Sequence, residues 1–171
     1  MKRRFESSYD EAEALNRKDY VAAKALYEKV IDEIGDKPFA EMDDTELRFF
    51  ALSKSQIFVC SEFRDLDSAA ISIEAFEVFF QRNDSDAFMY EYYIFTLEFT
   101  YQLEKSYPVL LELLQRDDMK LLALKYLSSY SYAVEGLQEW EDCITYQRQR
   151  VELTTDKREK AKLKRDLEKM L

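Results

Sequence analysis

Lys18-Asp19-Tyr20-Val21-Ala22-Ala23-Lys24-Ala25-Leu26-Tyr27-Glu28-Lys29-Val30 is the stretch whose reading decides the fold. An acidic residue precedes an aromatic, a small residue follows three positions later, and a second aromatic comes soon after. The theme returns about 120 residues further on, in Glu139-Trp140-Glu141-Asp142-Cys143-Ile144-Thr145-Tyr146-Gln147. A helix packed closely on its predecessor needs this arrangement: the ring anchors its start, and the small residue lets two backbones approach. Repetition of the unit predicts a stack of helical hairpins.

Composition agrees with an all-α fold. Only two Gly and two Pro occur in 171 residues, while 35% of side chains are charged and 47% hydrophobic. Sheets and irregular loops need turn residues that this chain lacks. Twelve Tyr and twelve Phe are too many for a disordered chain, and the length suits one domain, 1–171, with a real core.

Capping signals divide the chain into about nine helices. A first hairpin covers about 4–34, closed by Gly35 with Pro38 beyond. Asp43 with Glu46 forms a capping box for a second, about 43–82. The third spans about 86–116, with Ser106 as the cap of its second helix and Pro108 in the first turn. The fourth spans about 118–153, its first helix running unbroken to Gly136. A helix over about 156–170 follows, with Leu163, Leu167 and Met170 on one side and lysines on the other.

Charge narrows the partner. The net value is −10, yet residues 1–4 carry +3 and residues 157–171 carry +4, so the stretch between holds −17. So acidic a body repels phosphate backbones and excludes nucleic acid as the main partner, while it favours basic ones. No window is long enough for a membrane span and no apolar run follows Met1-Lys2-Arg3-Arg4, so a cytoplasmic protein is expected. Cys60 and Cys143 lie in apolar helical patterns and read as buried thiols.

Asp19-Tyr20-x-x-Ala23-x-x-x-Tyr27-x-x-Val30 resembles the second helix of a tetratricopeptide repeat. Tyr130-Ser131-x-x-Val134 followed by Trp140-x-x-Cys143-Ile144-x-Tyr146 resembles a complete one. Leu97, Tyr101, Tyr107 and Leu110 fit a third unit loosely, with Glu98 where a small residue is usual; Ile57, Leu66 and Ala69 fit another weakly. The resemblance implies four hairpins stacked as a right-handed superhelix, closed by a capping helix. It also implies a concave groove lined by the first helix of each hairpin, to which Phe58, Tyr92, Phe95, Phe99, Lys125 and Tyr132 are assigned. Such a trough suits a peptide or amphipathic helix of a partner protein, with basic flanks. The chaperone-tail clamp of some family members is missing, since the matching positions are Ser8, Ala12, Lys54 and Thr96.

Catalytic chemistry finds little to work with. There is no histidine, so the commonest general base and transition-metal ligand are gone. Two distant cysteines cannot build a structural zinc site, and two glycines cannot form a phosphate loop. Neither a cofactor nor a metal is expected. Glu91 and Glu98 are the acid pair to inspect on an otherwise apolar helix. The expected function is a non-enzymatic interaction module. Its alternatives are a receptor for a small apolar ligand or signalling peptide, and a subunit of a homo-oligomeric assembly. The helix over 86–104 is apolar on almost every face, so burial competes with groove lining there.

Overall fold

The computed structural model describes residues 2–171; among them are ten α-helices and one 3-10 turn, and no strand. The chain forms two compact units, one ending at Thr100 and the other Tyr101–Leu171.

The first unit contains α1 (Arg4–Leu15), α2 (Tyr20–Ile34), α3 (Asp44–Cys60), α4 (Leu66–Phe80) and α5 (Ala87–Phe99), with the 3-10 turn Phe39–Glu41 before α3. Acidic side chains set the starts. The Asp19 carboxylate accepts the Ala22 N–H at 3.0 Å, and Asp65 accepts that of Ser68 at 3.0 Å. Asp43 accepts from Thr45 and Glu46 N–H at 3.0 Å each, while Glu46 accepts the Asp43 N–H at 3.0 Å, completing the box. Each such cap contributes about 1 kcal/mol. Gly35, at φ +87°, ends α2 in a region open to glycine.

Each helix of this unit packs on the next, and α3 also touches α1 and α5. Ala12, Ala23, Ala51 and Ala69 are wholly buried at these crossings and let the backbones approach. Tyr27, Phe58, Phe76, Met89, Ile94 and Leu97 fill the remaining space. Burial of each large apolar side chain stabilises by roughly 1.5–3 kcal/mol. Tyr20, whose ring is expected to anchor the start of α2, stays exposed at the first helical position, as does Leu66 at that of α4. A first-turn side chain lies over the helix entrance rather than between helices, so Ala23, Tyr27 and Val30 carry the contact.

The second unit contains α6 (Leu103–Leu113), α7 (Lys120–Leu127), α8 (Ser131–Val134), α9 (Trp140–Leu153) and α10 (Lys157–Met170). Helix α7 packs on α6 and α9, and α10 on α9. Ser106 is not a cap. It lies inside α6, buried, with its hydroxyl 2.9 Å from that of Tyr132. Pro108 is accordingly deeper in the helix than the first turn, where its missing N–H leaves the Glu104 carbonyl without its i+4 donor.

The single helix expected between residues 118 and 136 is broken into α7 and α8. The serines between them bond locally and compete with the helical ladder. Ser129 Oγ meets Ser131 Oγ at 2.9 Å and accepts the Ser131 N–H at 3.4 Å. Buried glutamines tie neighbouring helices together: Gln138 donates to the Leu127 carbonyl of α7 at 2.8 Å and to the Cys143 sulfur of α9 at 3.0 Å. Gln147 of α9 donates to the Leu163 carbonyl of α10 at 3.0 Å.

Candidate functional site

Helix α5 supplies the site. Asp86 caps it, accepting from Phe88 and Met89 N–H at 3.1 and 3.2 Å. Met89, Tyr93, Ile94 and Leu97 then turn inward and are buried. Phe88, Tyr92, Phe95 and Phe99 recur at i, i+4, i+7 and i+11 and share the outward face. Phe88 and Tyr92 rings lie 4.9 Å apart, and those of Phe95 and Phe99 lie 4.4 Å apart. The stripe is roughly 16 Å long. One side of this helix is therefore core and the other a partly exposed aromatic surface.

A fifth ring comes from outside the helix. After Cys60 the chain leaves α3 through a left-handed turn without glycine, with Glu62 at φ +55° and Phe63 at φ +63°. The Phe63 N–H donates to the Phe58 carbonyl and that of Glu62 to Val59, both at 3.0 Å, which is the Schellman pattern. The turn lays Phe63 over Phe58, ring centres 5.4 Å apart, and stacks it on Phe99 at 4.5 Å with 17° between planes. Phe63, Phe88 and Phe99 remain 39, 45 and 45% exposed.

Tyr92 joins this stripe to a polar cluster. Gln56 donates to the Tyr92 hydroxyl at 3.0 Å and to the Glu13 carboxylate at 3.4 Å. The Tyr27 hydroxyl also donates to Glu13, and Asn16 donates to the Gln56 carbonyl at 3.3 Å. Burial, then the nearby Glu13 carboxylate, pushes the Tyr9 and Tyr92 hydroxyls above their usual range. Burial and the bond to Glu13 do the same for Tyr27. These phenols therefore stay neutral beside the acid, and Tyr27 is the one that donates to it. At the other end of α5, Arg48 pairs with Asp86 and holds its guanidinium 5.7 Å from the Phe88 ring.

Of the six residues assigned from the sequence, Tyr92, Phe95 and Phe99 lie together on α5. Phe58 does not join them as a contact: it is wholly buried beneath Phe63. Tyr132 is also wholly buried, in the second unit, with its hydroxyl on Ser106. Lys125 is exposed, its ammonium 5.2 Å from the Tyr126 ring. Phe63 and Phe88 escaped the sequence reading. Phe88 had a detectable signal, one turn before Tyr92 in the same register; Phe63 had none, being placed by a turn.

Glu91 and Glu98 flank the stripe at i+3 from Phe88 and Phe95 and are half-buried. Among the described residues no group of three or more acidic, cysteine or histidine side chains could hold a metal ion. Cys60 and Cys143 are free thiols, Cys143 buried and Cys60 half-buried. No family model, curated protein or solved structure matches the chain.

Proposed function

We propose that the chain is a tetratricopeptide-like, non-enzymatic interaction module whose α5 stripe receives an amphipathic helix or peptide of a partner protein. One observation carries the reading: five aromatic rings, Phe88, Tyr92, Phe95 and Phe99 of α5 with Phe63 from the turn after α3, form one partly exposed band. A band of that spacing matches apolar side chains at i, i+3, i+4 and i+7 of a facing helix. Exposed aromatics provide large contact area with little rotamer entropy to lose, and aromatic side chains are enriched at the cores of protein interfaces.

Charge selects the partner's flanks. The residues through Thr100 hold 22 acidic against 12 basic side chains, whereas those from Tyr101 hold 13 of each. All of the net negative charge therefore belongs to the unit that carries the stripe, and Glu91 and Glu98 border it. Lys or Arg beside the apolar positions of the partner would be steered in and anchored.

Selection from a displayed peptide library tests this directly. Retained sequences should be amphipathic helices enriched in Lys and Arg, and a Phe63→Ala/Phe99→Ala variant should lose them. Enrichment of acidic sequences, or equal retention by the variant, would overturn the reading.

A further inference from the structure

Helix α10 presents a second surface, independent of the aromatic band. Its apolar side is committed: Leu163 is 4% exposed, and the Leu163 carbonyl accepts from Gln147 of α9. Arg150 of α9 pairs with Glu159 at 3.6 Å, and Lys160 donates to the Glu152 carbonyl at 3.1 Å, fixing the helix along that side. Arg158, Lys162, Arg165 and Lys169 recur at i, i+4, i+7 and i+11 and form a straight line on the opposite face.

Among the described residues, Lys169 pairs with Asp166, and no ion pair or hydrogen bond holds the side chain of Arg158, Lys162 or Arg165. All four are exposed. Folding does not explain them. Lys157 and Arg158 occupy the first turn, where the helix dipole disfavours cations, and their stems cover no core.

We propose that this strip docks on a membrane surface rich in anionic phospholipid. The line is flat and carries neither an exposed apolar wedge nor an aromatic ring. That rules out insertion between lipid tails and stacking on single-stranded bases. A charged lipid plane attracts all the cations at once, about fivefold in affinity for each Lys or Arg. An acidic protein helix would have to pair them one by one in open water, where each exposed pair adds about fivefold at most and often nothing. The lipid plane also demands no matching spacing.

Co-sedimentation of the full chain with vesicles tests the assignment. Vesicles of phosphatidylcholine with about 30% phosphatidylserine should retain the protein at about 50 mM salt, and those of phosphatidylcholine alone should not. Arg158→Gln/Lys162→Gln/Arg165→Gln should weaken retention by about a hundredfold. Circular dichroism should show the variant's helix content unchanged, as all three side chains are exposed. A Leu163→Lys variant, which should loosen α10 from α9, keeps the strip and should still bind. Unchanged retention of the triple variant would overturn the proposal. So would equal retention on uncharged vesicles, or preferential binding to duplex DNA or polyglutamate at the same salt.

Discussion

Phe63 and Phe99 stack face to face at 4.5 Å although neither belongs to the same helix and both remain more than a third exposed. The contact depends on a helix exit that puts two non-glycine residues, Glu62 and Phe63, in left-handed backbone. Such a conformation costs roughly 1–2 kcal/mol per residue away from glycine. The turn is maintained against that cost by its two backbone hydrogen bonds and by the Phe58–Phe63 ring contact.

Glycine at the first of these positions should relieve the strain. Glu62→Gly is expected to raise stability by about 0.5–1 kcal/mol, because glycine's greater unfolded-state freedom offsets part of the gain. The exposed Glu62–Arg64 pair it removes is worth little. Urea denaturation reads the change, and a fall in stability would contradict the strain argument.

Tyr132 should behave as a core residue. Tyr132→Ala is expected to destabilise the second unit by about 3–5 kcal/mol, since a wholly buried ring leaves a cavity. Tyr132→Phe should cost about 1 kcal/mol, for the bond to Ser106. Thermal melts followed by tryptophan fluorescence separate the two, as Trp140 belongs to that unit. Equal, small losses would mean that the ring is not buried.

These two placements show where sequence reading succeeds and where it stops. Asp19, Asp43 with Glu46 and Gly35 announce helix ends through chemistry confined to a few neighbours, and each stands at such an end. The aromatic stripe of α5 is likewise legible because one continuous helix fixes its register. A groove position for Tyr132 requires one helical register to run from Lys125 onward. The serine-rich break after Leu127 ends that register, so the face deduced for Lys125 does not extend to Tyr132. Phe58 is withheld from the surface for another reason. Its cover is Phe63, five residues later, and only the left-handed turn brings it back.

High pH should expose the role of the buried phenols. An unfolded tyrosine ionises near pH ~10, whereas burial and Glu13 raise the Tyr27 hydroxyl well above that. The unfolded state therefore loses its proton first. The associated stability is complete below pH ~10 and is lost progressively as pH rises further. Tyr27→Phe should make this alkaline decline shallower, while costing about 1–2 kcal/mol at neutral pH through the donor withdrawn from Glu13. Urea midpoints across the alkaline range check both, and an equally steep decline would show that Tyr27 does not titrate in this way.

The aromatic band should matter more for binding than for folding. Phe99→Ala is expected to cost about 1 kcal/mol or less in stability, because the ring is 45% exposed. It should cost about 2 kcal/mol or more in affinity for a selected basic amphipathic peptide, the range of an interface hot spot. Calorimetry of unfolding and of binding gives the two values, and a larger loss in folding than in binding would make Phe99 a structural residue.

The most direct measurement follows phenylalanine ring resonances while such a peptide is added. Phe63, Phe88, Phe95 and Phe99 should shift together and saturate at one stoichiometry, with the buried Phe58 and Phe76 moving far less. Saturable binding that leaves those four rings unmoved would place the contact elsewhere, and α5 would lose its part in recognition.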